Sequence, residues 1–199
     1  MRTPTIVVAL ALAAPALASA QAPFLGARIG YALPFGDVAS GISIRDIVKS
    51  VVPIQIDAGF KLGRPWTVGG YLSYGFGQLA GDADRACGTA DCSASVIRLG
   101  IQAALHSEIR PEREVWAGVL AGWERLGLDA PGALEVTASG WELGLQGGFD
   151  LASRSAGFGP FASLGFSRYS SVEAGGSDPN VSDRTHLTMQ LGVRGYFKL

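Results

Sequence analysis

The sequence predicts an all-β protein: an eight-stranded antiparallel up-and-down transmembrane β-barrel with a short helix in its first external loop. Three observations lead to this fold class. Apolar residues alternate with polar or small ones in about eight segments. Most segments run for about nine to eleven residues, the length of a tilted strand that crosses a bilayer. The connections between the segments alternate between long and short.

Composition limits the alternatives. Of the 199 residues, 48% are hydrophobic and only 17% are charged, where globular domains usually have about 25%. The 28 glycines are spread along the whole chain and disfavour an all-helical fold. The net charge of -1 provides no basic field, so we expect no nucleic-acid partner.

The first twenty residues have the features of a secretory signal peptide. Arg2 is followed by an apolar run at 6–12, and Ala18-Ser19-Ala20 forms a small-residue cleavage signature. The sequence therefore predicts a signal peptide at residues 1–20 and one barrel domain at 21–199. Beyond residue 20, no stretch approaches the roughly 20 apolar residues that a membrane-spanning helix requires.

Eight segments carry the two-residue alternation. In 54–62, for example, Ile54, Ile56, Ala58, Phe60 and Leu62 share one face, and Gln, Asp, Gly and Lys occupy the other. Such a strand has two chemically different faces. In chain order, the predicted strands are 27–33, 54–62, 66–76, 97–105, 115–123, 141–151, 160–166 and 187–197.

The connections predict the orientation of the barrel. Long segments at 34–53, 78–94 and 170–183 and a medium one at 126–134 alternate with short turns at 63–65, 110–113 and 153–157. Outer-membrane barrels have short periplasmic turns and longer external loops. The rhythm therefore places both termini of the domain on the periplasmic side.

Two stretches carry a resemblance to a known family: Leu-Gly-Ala-Arg-Ile-Gly-Tyr-Ala-Leu-Pro-Phe-Gly at 25–36 and the closing strand at 187–197. The chain resembles the small OmpA/OmpX-like outer-membrane barrels of Gram-negative bacteria over nearly all of 21–199. The resemblance implies a location in the cell outer membrane, contact with its lipid and lipopolysaccharide, and insertion by the barrel-assembly machinery. Such barrels usually end on an aromatic residue, whereas this chain ends Phe197-Lys198-Leu199.

Aromatic residues near the strand ends predict two girdles at the membrane interfaces. The expected periplasmic girdle comprises Phe24, Phe60, Trp66, Phe149, Phe158 and Phe197. The expected external girdle comprises Phe35, Tyr74, Phe76, Trp123, Trp141 and Tyr169.

The polar parity of the strands is expected to face the lumen, with four basic and four acidic side chains that balance. They are Arg28, Lys61, Arg98 and Arg194, and Asp57, Glu124, Glu142 and Asp150. An eight-stranded barrel is just wide enough for side chains to fill, and an unpaired charge inside it would be costly. We therefore predict a charge-paired plug rather than a large diffusion channel.

The segment 43–52 breaks the two-residue alternation. Its apolar residues follow helical spacing, with Ser43 as a cap and Pro53 as the stop. The sequence predicts an amphipathic helix here, in the first external loop. It could cover the barrel mouth, lie at the lipid interface, bind a partner or pack on neighbouring loops.

Cys87 and Cys92 lie in one predicted external loop. Because the chain enters an oxidising compartment, we expect them to form a disulfide. Nearby aspartates match no metal-ligand spacing, so we predict no metal site and no cofactor.

The leading functional prediction is a monomeric, non-catalytic outer-membrane barrel that serves envelope integrity or surface recognition through its external loops. A lipid-modifying hydrolase is one alternative, suggested by His106-Ser107-Glu108. Adjacent strand residues point to opposite faces and cannot form a triad unaided, and His186 is expected to be solvated. The other alternative is a soluble lipocalin-like barrel, whose polar face would be outside.

Overall fold

The computed structural model of the chain describes residues 21–39, 42–62, 65–81, 85, 92–129, 136–174 and 184–199. The predicted signal peptide, residues 1–20, lies outside this part of the chain. Cys87 of the predicted disulfide also lies outside it. Cys92 is not free, and its pairing with Cys87 stays a prediction.

Eight long strands form a closed ring. They are β1 (Gln21–Ala39), β2 (Val48–Leu62), β3 (Trp66–Leu79), β4 (Ser93–Arg110), β5 (Arg113–Asp129), β6 (Val136–Ala152), β7 (Ala156–Ala174) and β8 (Arg184–Lys198). Each strand pairs antiparallel with the next, and β8 pairs with β1. A two-residue strand, Ile42–Ser43, pairs with the end of β1. The predicted eight-stranded up-and-down barrel is confirmed.

The barrel presents apolar side chains outward and polar ones inward. Ile101 is 70% exposed and Leu145 is 63% exposed, whereas Arg28, Glu124 and Asp150 are buried. Closure of the ring gives every strand two hydrogen-bonded neighbours, as hydrocarbon requires. This orientation is the opposite of a lipocalin's, so the soluble-barrel alternative is wrong.

The first-loop helix is shorter than predicted. It covers only Ile44–Ile47, with Ser43 as its N-cap in a capping box, and β2 already begins at Val48. Pro53 does not stop a helix but lies buried within β2, where pairing with β1 is interrupted. The β-branched Val48 and Val51 favour a strand and pack inside the barrel. No helix among the described residues has the length and apolar character needed to cross a membrane.

The strands are also longer than predicted, at 14 to 19 residues. Their external ends form a section that we call the external collar. Its interior is apolar and consists of Ala32, Val48, Val51, Ala94, Val96, Leu126 and Ala138, together with Tyr169. On β4 to β7 its outer face is mostly polar and carries Ser93, Ser95, Arg125, Asp129, Ser139, Ser171 and Glu173, whereas on β3 the exposed Phe76 pairs with Ser95.

The collar reverses the chemistry of the rest of the barrel. Below it, apolar residues face outward and charges face inward. Within it, apolar residues face inward, and on β4 to β7 polar ones face outward. A surface rich in serine and charged groups is suited to water or headgroups rather than acyl chains. The hydrocarbon-facing part of the barrel therefore ends below the collar.

Ten of the twelve predicted girdle aromatics lie on the outward parity of their strands. On the external side Tyr74 packs edge-on against Phe76, with ring centroids 5.0 Å apart. Two predictions were wrong. Phe24 shares the parity of Gly26 and lines a lumen cavity, and Tyr169 shares the parity of Ser167 and is 3% exposed.

Candidate functional site in the barrel lumen

The eight predicted lumen charges all lie on the inner side of the strands. Arg28 pairs with Asp57 across 2.5 Å, and Arg98 pairs with Glu124 across 2.8 Å. The Arg194 guanidinium binds Asp150, which is 0% exposed. These side chains come from separate strands, and their common inward parity brings them to the barrel axis.

A lower layer of the network surrounds Arg28. The guanidinium donates to Asp57, to Gln146 Oε1 at 2.6 Å and to Gln102 Oε1 at 2.8 Å. The amides of Gln55 and Gln102 each donate to Asp57 Oδ1 at 2.7 Å. The carboxylate thereby accepts three hydrogen bonds, which compensate its removal from water.

An upper layer surrounds Glu124. Its carboxylate receives the Arg98 guanidinium, the Tyr169 hydroxyl at 3.0 Å and the His186 imidazole at 2.9 Å. The Tyr169 and His186 rings stack with centroids 4.7 Å apart. The expectation that His186 is solvated was therefore wrong, because the residue is 3% exposed on β8.

Glu142 completes the upper layer. Its Oε1 accepts the Tyr71 hydroxyl at 2.5 Å, and its Oε2 lies 3.7 Å from Arg98 Nε. The Tyr71 side chain crosses the lumen because Gly100 and Gly122 lack side chains: a Cβ at Gly122 would lie 2.3 Å from the Tyr71 oxygen. Glycine therefore makes room for the polar network.

Aromatic rings separate the cations of the lower lumen. The Arg194 guanidinium carbon lies 3.5 Å from the centroid of the Trp116 ring, and that of Arg28 lies 5.6 Å from it. Arg28 also lies 5.4 Å from the Phe161 ring. Both rings have the inward parity, and their faces offer the two cations further attraction.

The periplasmic mouth holds a cluster that the sequence reading missed in part. Lys61 Nζ lies 3.9 Å from Glu114 Oε2, and the same oxygen lies 3.3 Å from His106 Nδ1. The Nε2 atom of His106 contacts Thr67 Oγ1 at 3.2 Å. Glu114 shares the inward parity of Trp116, and this signal could have identified it.

The lumen has no room for a wide pore in the described part of the chain. Its interior cavities have volumes of about 30, 20 and 20 Å³. Such spaces hold one or two water molecules each. The side chains of the charged layers and of the collar fill the remainder.

Thr67, His106 and Glu114 are arranged like the hydroxyl, imidazole and carboxylate of a hydrolase triad. Two requirements of such a triad are not met: an accessible nucleophile and an oxyanion hole. Thr67 is 8% exposed and its hydroxyl also contacts the carbonyl of Ala104 at 3.4 Å. The backbone N–H groups of these strands are committed to the barrel ladder, which leaves no pair of donors for an oxyanion. Ser107 points outward, away from His106.

A closed barrel with an apolar outer surface, aromatic residues near both ends of that surface and a filled polar interior is an integral outer-membrane β-barrel. Solved structures agree with this class. Neisserial surface protein A (NspA) aligns with a TM-score of 0.65 and 12% identity, over 90% of this chain and 99% of that one. Outer membrane protein OprG from Pseudomonas aeruginosa aligns with a TM-score of 0.52 and 13% identity, over 90% and 98%.

Identities at this level show a shared fold, that of the small outer-membrane barrels. No protein-family model matches the chain, and no curated protein matches its sequence.

Proposed function

We propose that the protein is a non-catalytic, non-conducting outer-membrane barrel that acts at the cell surface, in envelope integrity or in recognition through its external loops. The observation that carries this proposal is the double closure of the lumen. Charge-paired layers fill its lower part, and the apolar interior of the external collar lies above them.

The collar opposes ion flow more strongly than the charged layers do. An ion that leaves the Arg98–Glu124 layer would next meet Val96 and Leu126, which are 6% and 5% exposed. Those side chains offer no polar atoms to replace the water of hydration. The charged layers alone could pass ions from one side chain to the next. The apolar interior of the external collar lies on the same path and blocks it.

The same collar supports a role at the surface. Strands β4 to β7 continue above the outward rings of Trp123 and Trp141, and the outer side of this extension is polar. The connections 82–91, 130–135 and 175–183 join the collar strands and, apart from residue 85, lie outside the described residues. A rigid ring with its own core is a suitable support for loops that meet a partner.

The partners that we propose follow from this position. Arg125 points outward two residues beyond Trp123 on β5, and Arg168 points outward beside its pairing partner Trp141, near the level at which the phosphates of outer-leaflet lipid and lipopolysaccharide would lie. A closed ring has no free strand edge for a second copy, which supports a monomer. The barrel-assembly machinery would insert it.

Planar-bilayer recording tests the closure. We expect refolded protein to give no steady unit conductance, because the cavities between the charged layers and below the collar have volumes of only about 20 to 30 Å³. A porin inserted into the same bilayer serves as the positive control. Steady channels of large unit conductance from the refolded protein would contradict the closed lumen.

A complementation experiment tests the surface role. In a deletion strain, we expect a variant in which residues 175–183 are replaced by a short Gly-Ser linker to lose envelope integrity or surface binding while it still folds. The matched control, Arg154→Ser, changes the periplasmic turn and should complement fully. Ser107→Ala should also complement, because a surface role requires no nucleophile. Loss of function only in Ser107→Ala would favour the hydrolase alternative instead.

A further inference from the structure

Three metal-ligating side chains converge at the periplasmic mouth of the lumen. His106 on β4, Glu114 on β5 and Asp150 on β6 come from adjacent strands and share the inward parity. One potential ligand atom from each lies within 4.8 Å of the other two. Within the described part of the chain, no other such group of three occurs. Neither the sequence reading nor the proposed function uses it.

Two atoms of this group lack a hydrogen-bond partner although they are buried. They are His106 Nδ1 and Glu114 Oε2. A buried polar atom without a well-directed hydrogen bond is costly, and here the two atoms face each other only as an ion pair across 3.3 Å. Two ligand bonds of about 2.05 Å at the tetrahedral angle separate their ligand atoms by about 3.3 Å. The pair is thus spaced as a tetrahedral cation requires.

The surroundings orient the ligands as in known metal sites. His106 turns its other ring nitrogen to Thr67 Oγ1 at 3.2 Å, which leaves Nδ1 for a metal. The Trp116 ring stacks on the imidazole at a centroid distance of 6.3 Å. Arg194 holds the Asp150 carboxylate, whose oxygens retain further lone pairs.

We propose that His106, Glu114 and Asp150 bind one divalent transition-metal ion at the periplasmic mouth of the barrel. One imidazole and two carboxylates form a nitrogen–oxygen set that suits Zn²⁺ and leaves one position for water. A cavity of about 150 Å³, lined in part by Lys61, His106 and Glu114, gives access to two of the three ligands, and Asp150 lies buried behind them.

Nearby cations weaken this site without preventing it. Lys61 Nζ lies 3.9 Å from Glu114, and Lys198 lines the same cavity. Both ammonium groups sit on flexible stems at the mouth and can turn towards the periplasm. Removing the Lys61 charge should therefore tighten metal binding, which a plain Lys–Glu–His ion-pair cluster does not predict.

Titration of refolded, tag-free protein in detergent micelles with Co²⁺, followed by Zn²⁺, tests the site. We expect one equivalent of Co²⁺ to give visible d–d absorption that Zn²⁺ abolishes. His106→Gln and Glu114→Gln should each weaken binding at least tenfold, and Lys61→Met should tighten it several-fold. Glu108→Gln, at the same mouth but outside the group, is the matched control and should bind as the parent does.

Folding of each variant is checked by its migration in unheated gels, so that a failure to fold is separated from a failure to bind. Glu114→Gln preserves the shape of the side chain, and Lys61→Met is expected to tighten metal binding. At least one of these two variants therefore stays informative if His106→Gln misfolds. Absence of Co²⁺ absorption in folded parent protein overturns the proposal. Equal binding by the parent, Glu114→Gln and Glu108→Gln shows an adventitious ion and also overturns it.

Discussion

Replacing Glu124 by alanine is expected to destabilise the barrel by about 3–5 kcal/mol, because it leaves the buried Arg98 charge without its main partner. Glu124 is 1% exposed and receives Arg98, Tyr169 and His186. Its loss also leaves a buried hydroxyl and imidazole short of an acceptor. Urea unfolding of the refolded protein in lipid, followed by tryptophan fluorescence, measures the change in the free energy of unfolding.

A double variant separates the charge from the packing. Replacement of a buried ion pair by apolar residues of similar volume is often neutral or stabilising, so Arg98→Met/Glu124→Met should recover much of the stability that Glu124→Ala loses. A loss below about 1 kcal/mol for Glu124→Ala alone would indicate that Glu142, 3.7 Å from Arg98, compensates the cation by itself. The layer would then be a redundant network rather than one centred on Glu124.

The alternation of residues predicted the direction of side chains well, for a physical reason. In a bilayer each strand must present apolar groups to acyl chains, so one parity is fixed as the outside and the other as the lumen. Asp57 and Glu142 could be placed inside on this basis alone. Their partners could not, because Asp57 on β2 contacts Gln102 on β4 and Glu142 on β6 contacts Tyr71 on β3. These strands are not neighbours in the ring, and the contacts depend on the curvature of the barrel.

The errors lie mainly beyond the hydrocarbon, where that constraint ends. In the external collar the inward parity becomes apolar, so the spacing of Val48 and Val51 predicts a helix where the structure has β2. The aromatic character of Tyr169 predicts an outward position, although its parity with Ser167 indicates the lumen. Beyond Tyr169 the pairing of β6 with β7 shifts at Ser139 and Gly140, and such an irregularity is not readable from one sequence.

Arginine at position 119 is expected to cost about 2–4 kcal/mol of folding free energy, because Val119 lies midway along the outward face of β5. The residue is 54% exposed and pairs with Ala103 and Leu145 on the neighbouring strands. At that depth a guanidinium must reach an interface along its stem or draw water into the acyl layer. The same urea titration in lipid measures the cost, with Val119→Leu as the apolar control.

A second arginine tests the height of the membrane. Ser95 faces outward from β4 within the collar, so Ser95→Arg should change the stability by only about 0–1 kcal/mol, the value for positions near or beyond an interface. A cost for Ser95→Arg equal to that for Val119→Arg would place the collar inside the hydrocarbon and remove the argument that it stands above the membrane. If neither Val119→Arg nor Val119→Leu changes the free energy of unfolding, the outward register of β5 is wrong. The contrast between the two arginines, rather than either value alone, locates the boundary at which the barrel changes from apolar outside to apolar inside.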